Sequence, residues 1–595
     1  MSKSSDTSIA SREKLLGMVF LCFLSLPFHA QRLSRDYNVD ILVNQVGYVP
    51  GASKVCLLKG ECEKPFKVID IQTQAVVLSG NWTPFFGDFG KWSKGDFSAV
   101  SRPGHYYILC DTLRSYPFEI GPAVYRPAID LVVSYFSRQR CGPSATGYLS
   151  PCHLDDGIRM DNGKHQDVSG GWHDASDLRK WVGATIYGMI GLAKAYEAGV
   201  GDQAKIRDEL RWGNRYFLHM QEPDGHIMSY IGGDVQKHSD SNRWTDNIVG
   251  EETGELQMVK PNAGRSPHDM LIRGTKDDRI IRTDPLELTG QFNFITAEAM
   301  TARIMKRSDR KYAGQCLQAA EDCFSWCLKN DVPFETGEIG ASMLASLELY
   351  KTTKRPLYRD FAAMQAKILR TRQADTGALK GFFFTGQSNT EPYKNIWNGC
   401  QALIALCDMV KAFPKHQDVP TWKAMIDLYA RQYVETLAEK NAFDMVPFGL
   451  YLGEDPGGGR RAGEYWYRYF MQPELDWWVG VNANLASNGI GLLKAADVLG
   501  DQNLKALAQR QLDWIIGFNP FNSSTIAGVG YSHPKHFPGS SFSPLTPVIP
   551  GAVLNGLGGN HEDEPVIGNG DWQISEYWTP MVAYTLWLMG VLSSG

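Results

Sequence analysis

From Pro122 to the end of the 595-residue chain, apolar residues recur at a helical spacing, and this long run limits the fold more than any short motif does. Ala128, Leu131, Val132, Tyr135 and Phe136 line one face of the first helix, and Pro127 stands where a first turn tolerates it. Further helical patterns lie near 181–197, 203–221, 291–306, 311–330, 338–351, 356–371, 395–412, 420–438, 484–497, 502–516 and 577–593. About twelve helices in close pairs predict six hairpins that close into an (α/α)6 barrel. The stretches 222–290, 372–394, 439–483 and 518–575 are too long for plain connectors. Loops of that length in a compact domain usually carry a binding surface.

Ahead of this run, residues 38–121 read differently. Ile41-Leu42-Val43, residues 54–58, 66–71 and 106–109, and Tyr116-Pro117-Phe118-Glu119-Ile120 are β-type runs, punctuated by glycine and proline. About seven such runs predict a small β-sandwich followed by a mainly α domain over 122–595. Residues 1–30 carry Lys3, Arg12 and Lys14 and then an apolar stretch from Leu15 to Pro27. That pattern reads as a signal peptide, too short to span a bilayer, and predicts export to the periplasm or the extracellular space.

The formal net charge is only −5, with no basic excess, which argues against a nucleic-acid partner. A neutral polysaccharide read by stacking suits the 16 Trp and 25 Tyr better. Of eleven cysteines, Cys316, Cys323, Cys327, Cys400 and Cys407 fall in helical apolar patterns and read as buried thiols. Cys56, Cys62 and Cys110 lie among the strands, where one bridge is an option.

Gly170-Gly171-Trp172-His173-Asp174-Ala175-Ser176-Asp177 holds two carboxylates three residues apart, just ahead of the second helix. Such a pair either caps the helix or shares a proton or a water, which is hydrolase chemistry. Glu576 opens the last helical pattern. In a closed ring the second and last helices are neighbours, so Glu576 would face Asp174 and Asp177 across one mouth. Cleavage of a glycosidic bond needs two acid sites so disposed. Cys141, Cys152, His153 and His173 form a second set, suited either to a tetrahedral zinc or to a Cys141–Cys152 disulfide with unrelated histidines. Trp397, Tyr465, Trp466, Trp477 and Trp478 lie in or beside the long loops and are candidates for stacking on sugar rings.

The eight-residue stretch resembles the G-G-W-[HY]-D-A-G-D motif of glycoside hydrolase family 9, the β-1,4-glucanases with an (α/α)6 barrel. Asn44-Gln45-Val46-Gly47-Tyr48 and Asp96-Phe97-Ser98 resemble the immunoglobulin-like module that precedes the barrel in many members. Gln139-Arg140-Cys141-Gly142, Cys152-His153, Gly517-Phe518-Asn519-Pro520 and the Glu576 region follow in the family's order. The resemblance implies that Asp177 is the base activating water, that Asp174 helps hold that water and that Glu576 is the acid protonating the leaving oxygen. It implies inversion, for which base and acid stand roughly 6.5–9.5 Å apart. By the resemblance His536 touches the sugar, and Trp172, Trp397, Tyr465, Trp478 and Tyr577 are the other expected substrate contacts. It also favours zinc over the disulfide at Cys141, Cys152, His153 and His173. Calcium is common in the family, but no residues mark a site for it.

Three positions depart from the family pattern. Ser176 replaces the usual glycine, Ser575 the usual asparagine before the acid, and Phe537 the arginine of an H-P-H-H-R-P-like segment at 533–538. The expected activity is endo-acting cleavage of a cellulose-like, mixed-linkage or xyloglucan chain. Rival readings are an exo-acting hydrolase on cello- or glucosamine-type oligosaccharides and a glycan-binding protein without turnover.

Overall fold

The computed structural model describes residues 38–142, 153, 156–176, 179–232, 256–259, 270–273, 280–539 and 547–593. The signal peptide, Cys152 and Asp177 lie outside the described residues.

Ten strands build the N-terminal layer pair. They are β1 (Asn38–Ile41), β2 (Gly47–Tyr48), β3 (Val55–Lys59), β4 (Phe66–Asp70), β5 (Val76–Gly80), β6 (Thr83–Gly87), β7 (Gly90–Asp96), β8 (Gly104–Cys110), β9 (Leu113–Ser115) and β10 (Phe118–Ile120). One sheet runs β1-β9-β8-β10-β2, with β4 on β8 and β5 on β4, and the other runs β3-β7-β6. Alternating inward residues such as Phe66, Val68, Tyr106, Ile108, Phe118 and Ile120 fill the space between them. Cys62 and Cys110 are adjacent thiols, their sulfurs 3.4 Å apart, and are not bridged.

Among the described residues twelve long helices follow: α1 (Arg126–Arg138), α2 (Val182–Glu197), α3 (Gln203–His219), α4 (Leu288–Met305), α5 (Arg310–Asn330), α6 (Thr336–Thr353), α7 (Pro356–Arg370), α8 (Gln401–Ala412), α9, α10 (Asn482–Leu499), α11 (Gln502–Ile515) and α12 (Thr579–Ser593). The ninth begins at Val419–Asp427 and continues through a π-helical stretch, Leu428–Glu435, to Thr436–Ala438. Helices α2, α4, α6, α8, α10 and α12 touch in that order, and α12 returns to α2, so the inner ring closes. The closure explains their composition: an inner helix meets neighbours on all sides and is buried nearly all round, as in α12. Outer helices such as α7 keep a polar face, with Phe361, Ala362, Gln365, Ala366 and Leu369 turned inward.

Helix α8 starts at Gln401 rather than near 395, because the Asn395 side chain accepts the N–H groups of Trp397 and Asn398 and holds a turn there. Glu576 differs too. It lies in extended backbone between the single turn Trp572–Ser575 and α12, not inside the first turn of a helix. Pro580 in the first turn of α12 favours a helix that begins at Thr579 and no earlier.

All six inner helices start at one end of the ring, so the long loops gather there and the helix C-termini gather at the other. At that far end Glu348 of α6 is buried among Lys194 of α2 at 2.9 Å, Lys351 at 2.9 Å and Arg303 of α4 at 2.6 Å. Asp408 of α8 pairs with Lys494 of α10 at 2.5 Å. The sandwich packs on the barrel through a buried network in which Asn44 Nδ2 donates to Asp513 Oδ1 at 2.8 Å and Gln509 Nε2 donates to the Tyr125 hydroxyl at 2.9 Å. Trp92 of β7 meets Phe443 edge-on, with ring centres 4.9 Å apart. Among the described residues no helix is long and apolar enough to cross a membrane.

Candidate active site and metal cluster

The eight-residue loop is shaped by what lies beneath it. Gly170 and Gly171 have φ of +93° and +78°, and a Cβ on Gly171 would come within 2.9 Å of Tyr216 on α3. Only glycine combines that conformation with so close an approach. Trp172 is turned into the core: 1 % exposed, it packs edge-on against Phe136 and donates its indole N–H to Glu209 at 3.0 Å. An anchor inside the fold, it does not present a stacking face for sugar.

Two backbone bonds, His173 N–H to Gln139 O at 3.0 Å and Cys141 N–H to Gly171 O at 3.1 Å, lay the segment after α1 alongside the loop. They bring Cys141 and His173 together, and His153 joins them. The ligand atoms of these three buried residues lie within 4.8 Å of one another. A metal ion could be held there. Behind the cluster, Asp156 approaches His153 Nδ1 at 2.8 Å and accepts from Lys180 Nζ at 3.1 Å. A carboxylate behind an imidazole fixes the ring and raises its basicity as a ligand.

The carboxylates come next. Asp174 Oδ2 accepts the Trp578 indole N–H at 3.2 Å, and its backbone carbonyl accepts both N–H and hydroxyl of Thr579 at 2.9 and 3.0 Å. Two residues on, Ser176 donates its N–H to Glu576 Oε1 at 3.2 Å and its hydroxyl to the same oxygen. The loop before α2 and the segment before α12 are therefore stitched together across some 400 residues of sequence. Tyr135 of α1 reports the same proximity: burial pushes its phenol well above the ordinary value, and the charges of Asp174 and Glu576 push further the same way.

The aromatic candidates separate into groups. Trp397 meets Trp578 edge-on at 5.2 Å, and Trp477 meets Trp578 at 6.0 Å and Trp572 at 6.4 Å, a row of four indoles beside Asp174. Trp477 is 41 % exposed. Trp478 is half-buried against Gly558, where an added Cβ would meet its ring at 2.7 Å. Tyr577 is buried with its ring edge-on to Tyr135 at 5.7 Å. His536 is partly exposed on a loop next to Gly570, and Phe537 beside it is buried. Tyr465 is buried in a small sheet with its ring against Phe382 at 4.9 Å. Sequence reasoning missed Ser176 as a donor, the Trp578 bond to Asp174, and Asp156 behind His153. The one available signal was the departure from glycine at 176.

Comparison with known proteins agrees with this arrangement. A family model described as glycosyl hydrolase family 9 matches residues 125–589, and one described as the cellulase N-terminal ig-like domain matches residues 36–115. Endoglucanase D of Acetivibrio thermocellus is 24% identical over 429 residues, covering 63% of this chain and 61% of that protein. The match thus spans about three fifths of that relative's length. A xyloglucan-specific endo-beta-1,4-glucanase of Bacteroides ovatus, BoGH9A, is 23% identical over 589 residues, 88% of this chain and 87% of that one. Among solved structures, a Bacteroides ovatus GH9 protein superposes with a TM-score of 0.64 at 19% identity, covering 93% of this chain and 99% of that one. A Zn-binding triple mutant of the GH family 9 endoglucanase J30 superposes with a TM-score of 0.62 at 20% identity, covering 92% of this chain and 99% of that one. These likenesses repeat the two-part fold, and the family model runs from the start of α1 into α12, taking in the motif loop and Glu576. The chain belongs to glycosyl hydrolase family 9.

Proposed function

We propose that the protein hydrolyses β-1,4-glucosidic bonds in a β-glucan with inversion at the anomeric carbon. The observation that carries this reading is the pair of links, Ser176 to Glu576 and Trp578 to Asp174, that puts the motif loop and the acid segment in one place. In this reading Glu576 protonates the leaving glycosidic oxygen, Asp177 takes a proton from the attacking water, and Asp174 holds that water. The row of Trp397, Trp578, Trp477 and Trp572 offers rings for stacking on sugar faces. Asp174 is an acceptor fixed by an indole N–H, a group that cannot take a proton from it, so its carboxylate is suited to orient a water rather than to donate.

The chemical range follows from the relatives. One matched over most of both chains is named as xyloglucan-specific and another as an endoglucanase, which supports an endo-acting enzyme on xyloglucan or a related soluble β-1,4-glucan. The leader-like residues 1–30 support export.

The buried thiol and imidazoles suit zinc, with Cys141, His153 and His173 as ligands and Cys152 as the fourth. Four protein ligands leave no open position, so zinc there would be structural. When bound it would tie the segment after α1 to the loop that carries Asp174. The residues themselves do the rest: Asp156 orients His153 from behind, and Lys180 pairs with Asp156.

Turnover on xyloglucan, barley mixed-linkage glucan and carboxymethylcellulose tests the reading, with the anomer released first identified by proton NMR. Release of the α-anomer and a loss of at least about 10³-fold in kcat for Glu576→Gln are expected, near the upper range of general acid catalysis. Release of the β-anomer, or a Glu576→Gln variant as active as the parent, would overturn it. Metal analysis of the purified protein should return one zinc per chain, lost in Cys141→Ser.

A further inference from the structure

Ser176 occupies the one position of the motif where this chain carries a side chain and the family pattern has none. It is 1 % exposed, so its hydroxyl has no solvent to turn to. Both of its donors reach one atom, Glu576 Oε1: the backbone N–H at 3.2 Å, and the hydroxyl. A peptide N–H can only donate, so the oxygen it points at must act as an acceptor. With the hydroxyl donating to the same oxygen, Oε1 is doubly accepting and a poor place for a proton. The proton of the acid form then belongs on Oε2.

We propose that Ser176 is a positioning residue for the acid step: its hydroxyl assigns Oε2 as the oxygen of Glu576 that delivers the proton, and stabilises the carboxylate left behind. The inference rests on Glu576 being the general acid. In the step itself the Oε2–H bond breaks and an O–H bond forms on the glycosidic oxygen. The C–O bonding pair leaves with that oxygen, and water adds to the anomeric carbon while giving its proton to Asp177. The charge created on Glu576 is met at Oε1 by donors already aimed there, which costs no reorganisation at the moment of reaction. A glycine at 176 would keep the N–H and lose the hydroxyl, so the hydroxyl is what this chain adds.

Among the described residues, the titratable groups near Glu576 include Asp174 on the motif loop, Tyr135 on α1, and Tyr577, whose ring rests on Tyr135. All are unchanged in the variants that test the proposal. The pH dependence of kcat/KM and kcat is measured for the parent, Ser176→Gly, Ser176→Ala and Ser176→Thr, with thermal midpoints alongside. Removing a donor to a carboxylate disfavours the anion and raises the pH at which the acid is lost. The alkaline limb should therefore move up by about half to one pH unit in the glycine and alanine variants, the size expected for an ordinary net hydrogen bond. Their kcat at the optimum should fall about 3- to 10-fold with KM within about twofold. Threonine, which keeps the hydroxyl, should restore the parent's alkaline limb. An alkaline limb within about 0.2 unit of the parent in both Ser176→Gly and Ser176→Ala would overturn the proposal. If Glu576→Gln is inactive in the same assay, that failure belongs to Ser176 alone. If Glu576→Gln is fully active, it is the acid assignment beneath it that falls.

Discussion

The two ends of the barrel hold their carboxylates in opposite ways. At the far end Glu348 is buried among Lys194, Lys351 and Arg303. Desolvation alone would push its carboxyl up, but the three cations together hold it well below the usual carboxylate range. Asp408 is treated alike, burial being outweighed by Lys494, Lys351 and Lys194. At the near end the donors to Glu576 Oε1 are a hydroxyl and a peptide N–H, and Asp174 Oδ2 accepts from an indole. A carboxylate wrapped in cations is locked as an anion and serves as a structural knot. A hydroxyl, a peptide N–H or an indole N–H fixes a carboxylate's geometry without bringing a positive charge, the setting that the proposed acid step asks for. The same residue type thus closes the ring at one end and, in the proposed reading, supplies the acid at the other.

That contrast can be broken by substitution. The largest effect should come from Glu348→Ala, which strands three cations in a buried place: about 3–5 kcal/mol of stability lost, read as a drop in the urea midpoint, with kcat per folded molecule unchanged. A fall in kcat at full folding would show that the two ends are coupled. Glu298 of α4 comes next, buried with no cation among the described residues and contacted by Asn214 at 3.2 Å. Burial pushes it up from 4.5 to about 8. Since the folded value lies above the unfolded one, its contribution is whole below about pH 4.5 and is lost progressively as pH rises to about 8. Glu298→Gln should remove that decline and stabilise the protein by about 2–4 kcal/mol at pH 8, seen as thermal midpoints that stay level between pH 5 and pH 8. At the near end Trp578→Phe deletes the donor to Asp174, and kcat should fall about tenfold, near 1.4 kcal/mol, with little change in thermal midpoint. The smallest effect should be Lys411→Ala, whose partner Asp497 is half exposed at 2.9 Å: under about 0.5 kcal/mol by denaturant titration.

Much of this architecture is legible in sequence because helical periodicity is a local property. The starts and ends of α2, α3, α5 and α7 follow from apolar spacing together with caps such as Asp202 and Asp309, whose side chains accept the first free N–H groups. The motif loop is legible for a different reason, since Gly170-Gly171 must turn and two carboxylates follow them three residues apart. What sequence does not carry is the partner. Ser176 and Glu576 are 400 positions apart, and nothing in either neighbourhood says that one donates to the other. Aromatics fail likewise: Tyr465 and Trp477 sit in the same loop, yet one faces Phe382 and the other lies 41 % exposed beside Trp578. Composition cannot separate them, because the choice is made by packing against distant segments. Glu576 shows a third limit, where a proline in the following turn favours extended backbone ahead of a helix whose apolar pattern seems to begin sooner.

The contact between sandwich and barrel has a practical consequence. Asn44 reaches Asp513, Lys94 holds Asp444 at 2.8 Å, Tyr467 and Tyr469 both donate to Asp88, and Phe89 lies among Tyr469, Phe443 and Trp514. A barrel produced without the leading strands would bare a greasy flank and leave a buried acid short of its amide donor. Engineers trimming this protein should treat the strand layer as part of the wall, and graft or shuffle the two only as one piece.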